Sequence, residues 1–135
     1  VSLLVDTSVW SLAFRRDVVA SEPEVAALHA AILGEQQIVS TGLVLQELLQ
    51  GFNGPNAGAL LIERFAALPF INPDRQDHID AASLRNHCRQ HGVQLGAINA
   101  LLAQLCIRHD LLMLSTDRDF AHAAKHSPLK IWPQT

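Results

Sequence analysis

Five polar residues, far apart along the chain, have the types and settings that suit a hard cation. Asp6 ends the run LLVD, Glu47 lies in LVLQELLQG, Asn99 in LGAINALLAQ, and Asp117 and Asp119 in LLMLSTDRDF. Hard divalent ions such as Mg²⁺ and Mn²⁺ take oxygen ligands, usually one or two carboxylates together with waters and a substrate phosphate. Two such ions, about 4 Å apart, can activate a water and stabilise the leaving oxygen of a phosphodiester. Carboxylates that meet in one place repel each other, and a cation relieves that cost. Asn99 offers an oxygen of the right shape without the charge. Asp6, Glu47, Asn99 and Asp117 are therefore the candidate catalytic residues, with Asp119 as a further metal ligand and one carboxylate of the set neutralised. Thr7, Ser8 and Thr116 supply hydroxyls beside the acids, suited to holding a water or a phosphate oxygen.

The elements that must position these residues are short apolar runs alternating with longer helical patterns. Candidate strands are Ser2–Val5, Gln37–Ser40, Leu68–Ile71, Leu111–Ser115 and Leu129–Trp132. The first and fourth are continuous apolar runs, as in parallel strands covered on both faces. Candidate helices are Thr7–Phe14, Pro23–Leu33, Gly42–Gly51, Ala57–Ala67, Arg75–His91, Ala97–His109 and Asp119–His126. In the helix at 97–109, Ile98, Leu101, Leu102, Leu105 and Cys106 form one apolar stripe, with Asn99 off it. Gly92 is placed to end the preceding helix in a left-handed conformation. Asn53–Gly54–Pro55–Asn56 separates the third helix from the fourth. This alternation predicts an α/β fold on a parallel sheet. Such folds gather ligands outside the carboxyl ends of their strands. Asp6 and Asp117 follow strands directly, and Glu47 and Asn99 lie in helices that begin beside the same edge.

Each residue taken alone has a plainer reading. Asp6, ahead of Thr7 and Ser8, fits a helix N-cap. Asp117 and Asp119 fit a cap or turn. Glu47 fits a solvated helix face, and Asn99 a polar first-turn residue. It is the joint placement at one sheet edge that favours a site. Arg118, between two of the acids, is suited either to a phosphate or to neutralising Asp119. Arg15 and Arg16, with Lys125, are candidates for an RNA-facing rim. Trp10 and Phe14, four apart on the first helix, read first as core and second as a groove for a partner. His87 and His91 are also four apart, but no HExxH surrounds them.

Length and composition describe one folded domain over residues 1–135, with 49% hydrophobic and 17% charged residues. Net charge is −3. Setting aside the four acids of the candidate site leaves nine acidic against ten basic residues, so charge neither favours nor excludes a nucleic-acid partner. Cys88 and Cys106 belong to no CxxC and read as buried thiols of a reducing compartment, which makes the cytoplasm the expected location. No apolar run is long enough to span a bilayer. Neither GxGxxG nor GxxxxGK[ST] occurs, so nucleotide-cofactor binding has no motif. A phosphotransferase or receiver-like domain also places Asp after its first strand, but DTSVW lacks the second Asp of a DxD motif.

The pieces LLVDTSVW, TGLVLQELLQG, GVQLGAINALLAQLCIRHDLLML and STDRDF span essentially the whole chain. In their order and spacing they resemble PIN-domain ribonucleases, specifically the VapC toxins of bacterial toxin–antitoxin pairs. The resemblance implies a three-layer α/β/α sandwich around a central parallel sheet of four to five strands. It implies an acidic site for Mg²⁺ or Mn²⁺, endonucleolytic cleavage of RNA, a homodimer and inhibition by a cognate VapB-type antitoxin. Asp6, Glu47 and Asp117 match the family's acidic positions, and Asp119 a more peripheral one. Thr7 or Ser8, and Thr116, match small polar residues lining the site. Position 99 departs from the pattern, which has an aspartate opening this helix. An engineered Asp→Asn change and a natural variant would give the same sequence. Either predicts weakened cation binding and poor cleavage. The alternative is a non-catalytic binding module acting through antitoxin or RNA contact.

Overall fold

The structure is a computed structural model and describes residues 1–15, 20–34, 36–52 and 54–133. Four short strands build the sheet: β1 (Leu3–Val5), β2 (Ile38–Val39), β3 (Leu112–Leu114) and β4 (Lys130–Ile131). All three pairings are parallel, in the order β2-β1-β3-β4. Parallel neighbours require crossover connections, and helices supply them. These are α1 (Thr7–Ala13) and α2 (Pro23–Leu33), then α3 (Gly42–Gly51), α4 (Pro55–Ala66), α5 (Arg75–Gln90) and α6 (Ala97–His109), and finally α7 (Arg118–Ala124). The result is the expected α/β/α arrangement with a four-stranded sheet.

Local chemistry sets the helix ends. Pro23 and Pro55 open α2 and α4, where a missing N–H costs nothing. Asp74 and Asp77 form a capping box at the start of α5, each carboxylate accepting from the other's backbone N–H at 2.9 Å. Gly92 takes φ +77° just beyond α5, the left-handed conformation its position calls for. Gly54, at φ +100°, turns the chain into α4. The break between α3 and α4 is shorter than expected, because Asn56 already lies inside α4; Asn53 lies outside the described residues.

Two expectations are corrected. Leu68–Ile71 is not a strand but a single parallel bridge, Ser40 to Phe70, at the β2 edge. Pro69 lacks the N–H that a ladder needs, and Phe70 is 42% exposed. The stripe on α6 also differs. Leu101, Leu102, Leu105 and Cys106 are buried, together with Ala100 and Ala103, but Ile98 is 45% exposed. α6 packs against both α5 and β3, so burial spreads around it, while Ala97 and Ile98 at its start stay exposed. The core runs from the three apolar residues of β1 and β3 to Val44, Leu48, Phe65 and Phe120. Trp10 belongs to it, stacked on Phe14 at 5.8 Å and tilted against Phe65 at 4.9 Å, which matches the core reading.

Candidate functional site

The strand order decides where a site can form. From β1 the chain moves to β2 on one side, then crosses to β3 on the other. The crevice at such a reversal, outside the carboxyl ends of the strands, is the usual ligand position in open α/β sheets. Asp6 follows β1 and Ser115–Asp117 follow β3, so both sides of this crevice carry acids. The ladder continues into it, with Asp6 N donating to the Leu114 carbonyl at 2.9 Å.

Asp6 is only 6% exposed. It occupies the N-cap position of α1, but its side chain makes no capping bond. Instead Oδ2 accepts from the hydroxyls of Ser8 and Ser115, each at 2.8 Å. A buried carboxylate without a paired cation needs such donors. Ser115 also accepts from the backbone N–H of Asp117 at 3.0 Å, so one hydroxyl ties Asp6 to the β3–α7 turn. The backbone N–H of Thr116 donates to Ser8 Oγ at 3.2 Å, closing the link from the other side. Asp117 caps α7 through Oδ1, which accepts from Asp119 N at 2.9 Å. Its Oδ2 accepts from Asn99 Nδ2 at 3.2 Å. The cap reading of Asp117 is thus correct, and its second oxygen still faces Asn99.

Glu47 completes the near group from α3. Partial loss of hydration and then the Asp6 charge push its carboxyl above the ordinary value, with the Thr7 hydroxyl acting in the opposite direction. The Asp6 charge also reaches Cys106 on α6; burial, assisted by that charge, pushes this thiol up. Ser40 Oγ and Thr41 Oγ1, where β2 leads into α3, are buried with no hydrogen-bond partner among the described residues.

The fold therefore brings Asp6, Thr7, Ser8, Glu47, Asn99, Thr116 and Asp117 to one edge. Asp119 reaches the group through its backbone. Arg118 is exposed and shares a cleft with Asp117. Arg15 is exposed beyond α1, Arg16 lies outside the described residues, and Lys125 sits at the far end of α7. His87 and His91 have ring centroids 4.5 Å apart, and His126 stacks on His91 at 4.6 Å. Among the described residues, no three His, Cys, Asp or Glu side chains already stand as a metal cage. Cys88 and Cys106 are free and buried, and no described helix is long and apolar enough to cross a membrane. Ser115 was missed as a site residue. Its signal was its position two residues before Asp117, directly at the end of a strand.

A model of the PIN domain family matches residues 3–126. No curated protein sequence matches the chain. Several solved structures share the fold. FitAcB from Neisseria gonorrhoeae has a TM-score of 0.73 at 19% identity, covering 96% of this chain and 95% of its own. VapBC2 from Rickettsia felis, bound to a DNA fragment from its promoter, has 0.73 at 16% identity, covering 97% of each chain. Mycobacterium tuberculosis VapC20, a sarcin-ricin loop cleaving toxin, has 0.71 at 16% identity, covering 96% of this chain and 99% of its own.

Proposed function

The chain belongs to the PIN domain family, and from that premise we propose a type II toxin with the fold of a divalent-metal-dependent endoribonuclease, weakened in catalysis by Asn99. The observation that carries this reading is the bonded path Asp6–Ser115–Asp117–Asn99, with Glu47 in electrostatic contact with Asp6. The donor set is entirely oxygen and mostly anionic, which suits Mg²⁺ or Mn²⁺ and not a thiophilic metal. Mg²⁺ is commonly held by one or two carboxylates, waters and substrate phosphate, so a complete protein cage is not required. Asp6, Glu47 and Asp117 would hold the ion, with Asn99 contributing a carbonyl oxygen and Asp119 lying further out. When bound, the ion supplies positive charge to a phosphodiester undergoing attack by water.

The chain's own residues do the positioning. Ser8 and Ser115 fix the Asp6 carboxylate, and Ser115 sets its distance from Asp117. Thr7 and Thr116 hydroxyls are suited to orienting water or a phosphate oxygen, and Arg118 to the phosphate itself. Asn99 cannot supply the charge of an aspartate. The Asn99→Asp variant is expected to gain Mg²⁺-dependent cleavage of RNA by on the order of 10²-fold or more. Equal initial rates for the two proteins would remove the reading. The partner we propose, on the strength of the likeness to VapBC2, is a VapB-type antitoxin, with a homodimer of this single domain as the assembly. Two buried free thiols support the cytoplasm as its location.

One observation favours a second reading, a binding module without catalysis. The Asn99 amide already satisfies Asp117, as a cation would. Calorimetry with Mn²⁺ separates the two: binding by neither this chain nor its Asn99→Asp variant favours the module.

A further inference from the structure

Beside the acidic crevice, at the carboxyl ends of β3 and β4, lies a cleft of about 340 Å³. Ser115, Thr116 and Asp117 are among its lining residues, so it adjoins the proposed site of phosphodiester cleavage. The remaining lining combines unlike chemistries: Trp132 and Ile131 from the end of β4, Arg118 from α7 and Glu24 from the first turn of α2. Trp132 is held in place by its backbone, whose N–H donates to the Met113 carbonyl at 2.9 Å, and its ring is only partly buried. The volume is in the range of clefts that take small molecules.

We propose that this cleft is a nucleobase subsite next to the scissile phosphate, and that it prefers guanine. The inference rests on the nuclease reading above and adds the base that the site selects. A partly exposed indole offers a stacking platform for a base in single-stranded RNA. Arg118, beside Asp117, suits the phosphate that joins this base to the next nucleotide. Glu24 accepts hydrogen bonds but cannot donate them when ionised. Guanine presents two adjacent donors on its Watson–Crick edge, N1–H and the N2 amine, and a carboxylate can accept both. Uracil presents a single donor between two carbonyl oxygens, which a carboxylate repels. Adenine and cytosine each offer an amine beside an unprotonated ring nitrogen, leaving one carboxylate oxygen unmatched.

Anisotropy titrations of fluorescently labelled single-stranded hexanucleotides, in Mg²⁺, test this with the full chain. One set carries a single guanine in a uridine background, and the others adenine, cytosine or uridine at that position. The guanine oligonucleotide is expected to bind on the order of tenfold more tightly than the uridine one. Trp132→Ala is expected to weaken binding of the guanine oligonucleotide by about tenfold or more. Trp132→Phe should retain most of that binding, since Phe still stacks. Glu24→Gln should remove the preference for guanine while leaving uridine binding unchanged. Circular dichroism melts confirm that each variant folds, and Trp132→Leu, apolar but unable to stack, serves if Trp132→Ala does not. If RNA binds but all four bases bind equally, or if Glu24→Gln keeps the guanine preference, the subsite is wrong while the nuclease reading stands. If no RNA binds and Asn99→Asp cleaves none, both fall together.

Discussion

Asn99 donates its side-chain amide to Asp117 Oδ2 at 3.2 Å, and this bond has opposite consequences with and without a cation. In the metal-free protein it gives Asp117 a donor where an aspartate would add a fourth negative charge beside Asp6, Glu47 and Asp117. The Glu47 carboxyl is already pushed up, first by burial and then by the Asp6 charge. In chelator, Asn99→Asp is therefore expected to lower stability by about 1–2 kcal/mol, from loss of the donor and added repulsion. For a chain of this size the melting temperature should fall by roughly 3–8 °C, read by calorimetry in EDTA. An unchanged or raised melting temperature would mean that the amide does not support Asp117. That Asp6, Glu47, Asn99 and Asp117 share one sheet edge was legible in the sequence because Asp6 and Asp117 directly follow apolar runs, while Glu47 and Asn99 lie in helices that begin beside that edge. The role of Ser115 was less so. A serine at a strand end has many ordinary uses, and only the fold shows it reaching Asp6, 109 positions away.

Among the helices, α5 has the most explicit start signal, and it ties the cap to tertiary packing. Asp77 is 1% exposed and accepts both from the Asp74 backbone and, at 2.5 Å, from Arg108 on α6. Arg108 also pairs with Asp74 at 3.2 Å. Losing Asp77 breaks the capping box and leaves Arg108 without its buried partner. Asp77→Ala should cost about 3 kcal/mol in denaturant unfolding. A loss under 0.5 kcal/mol would show that water replaces the pair. Asp74 gives a pH signature. The Asp77 backbone N–H, above all, and Arg108 hold its carboxyl below the ordinary value of 3.8. Its contribution is therefore present above that value and lost as pH falls through the lower folded one. The stability gap between the parent and Asp74→Asn should close below about pH 3.8 in urea titrations. A gap constant from pH 6 to pH 3 would contradict this. Helix positions were well marked by prolines, glycines and the 3.6-residue period. The run at 68–71 was misleading because its apolar residues suggest a strand, while Pro69 permits only one bridge.

At the scale of the whole molecule, the α/β class was readable from alternating patterns, but the strand order was not. Short apolar runs say little about which neighbours they choose, and the order β2-β1-β3-β4 emerges only in the folded sheet. That order makes the site a junction. β1 brings Asp6, α3 brings Glu47, α6 brings Asn99, and the β3–α7 turn brings Asp117. A cation bound there would bridge four segments that separate on unfolding, so binding should stabilise the entire fold. By linkage, an ion at a hundredfold excess over its dissociation constant adds about 2.7 kcal/mol. The aspartate variant should bind Mn²⁺ more tightly than the parent, because it restores a charge. Its melting temperature should start lower in EDTA and rise more steeply with Mn²⁺, so that the two curves cross. Parallel curves would show that position 99 does not contact the ion. Two flat curves would show that this junction does not take up a divalent cation, and the proposed catalysis would lose its physical basis.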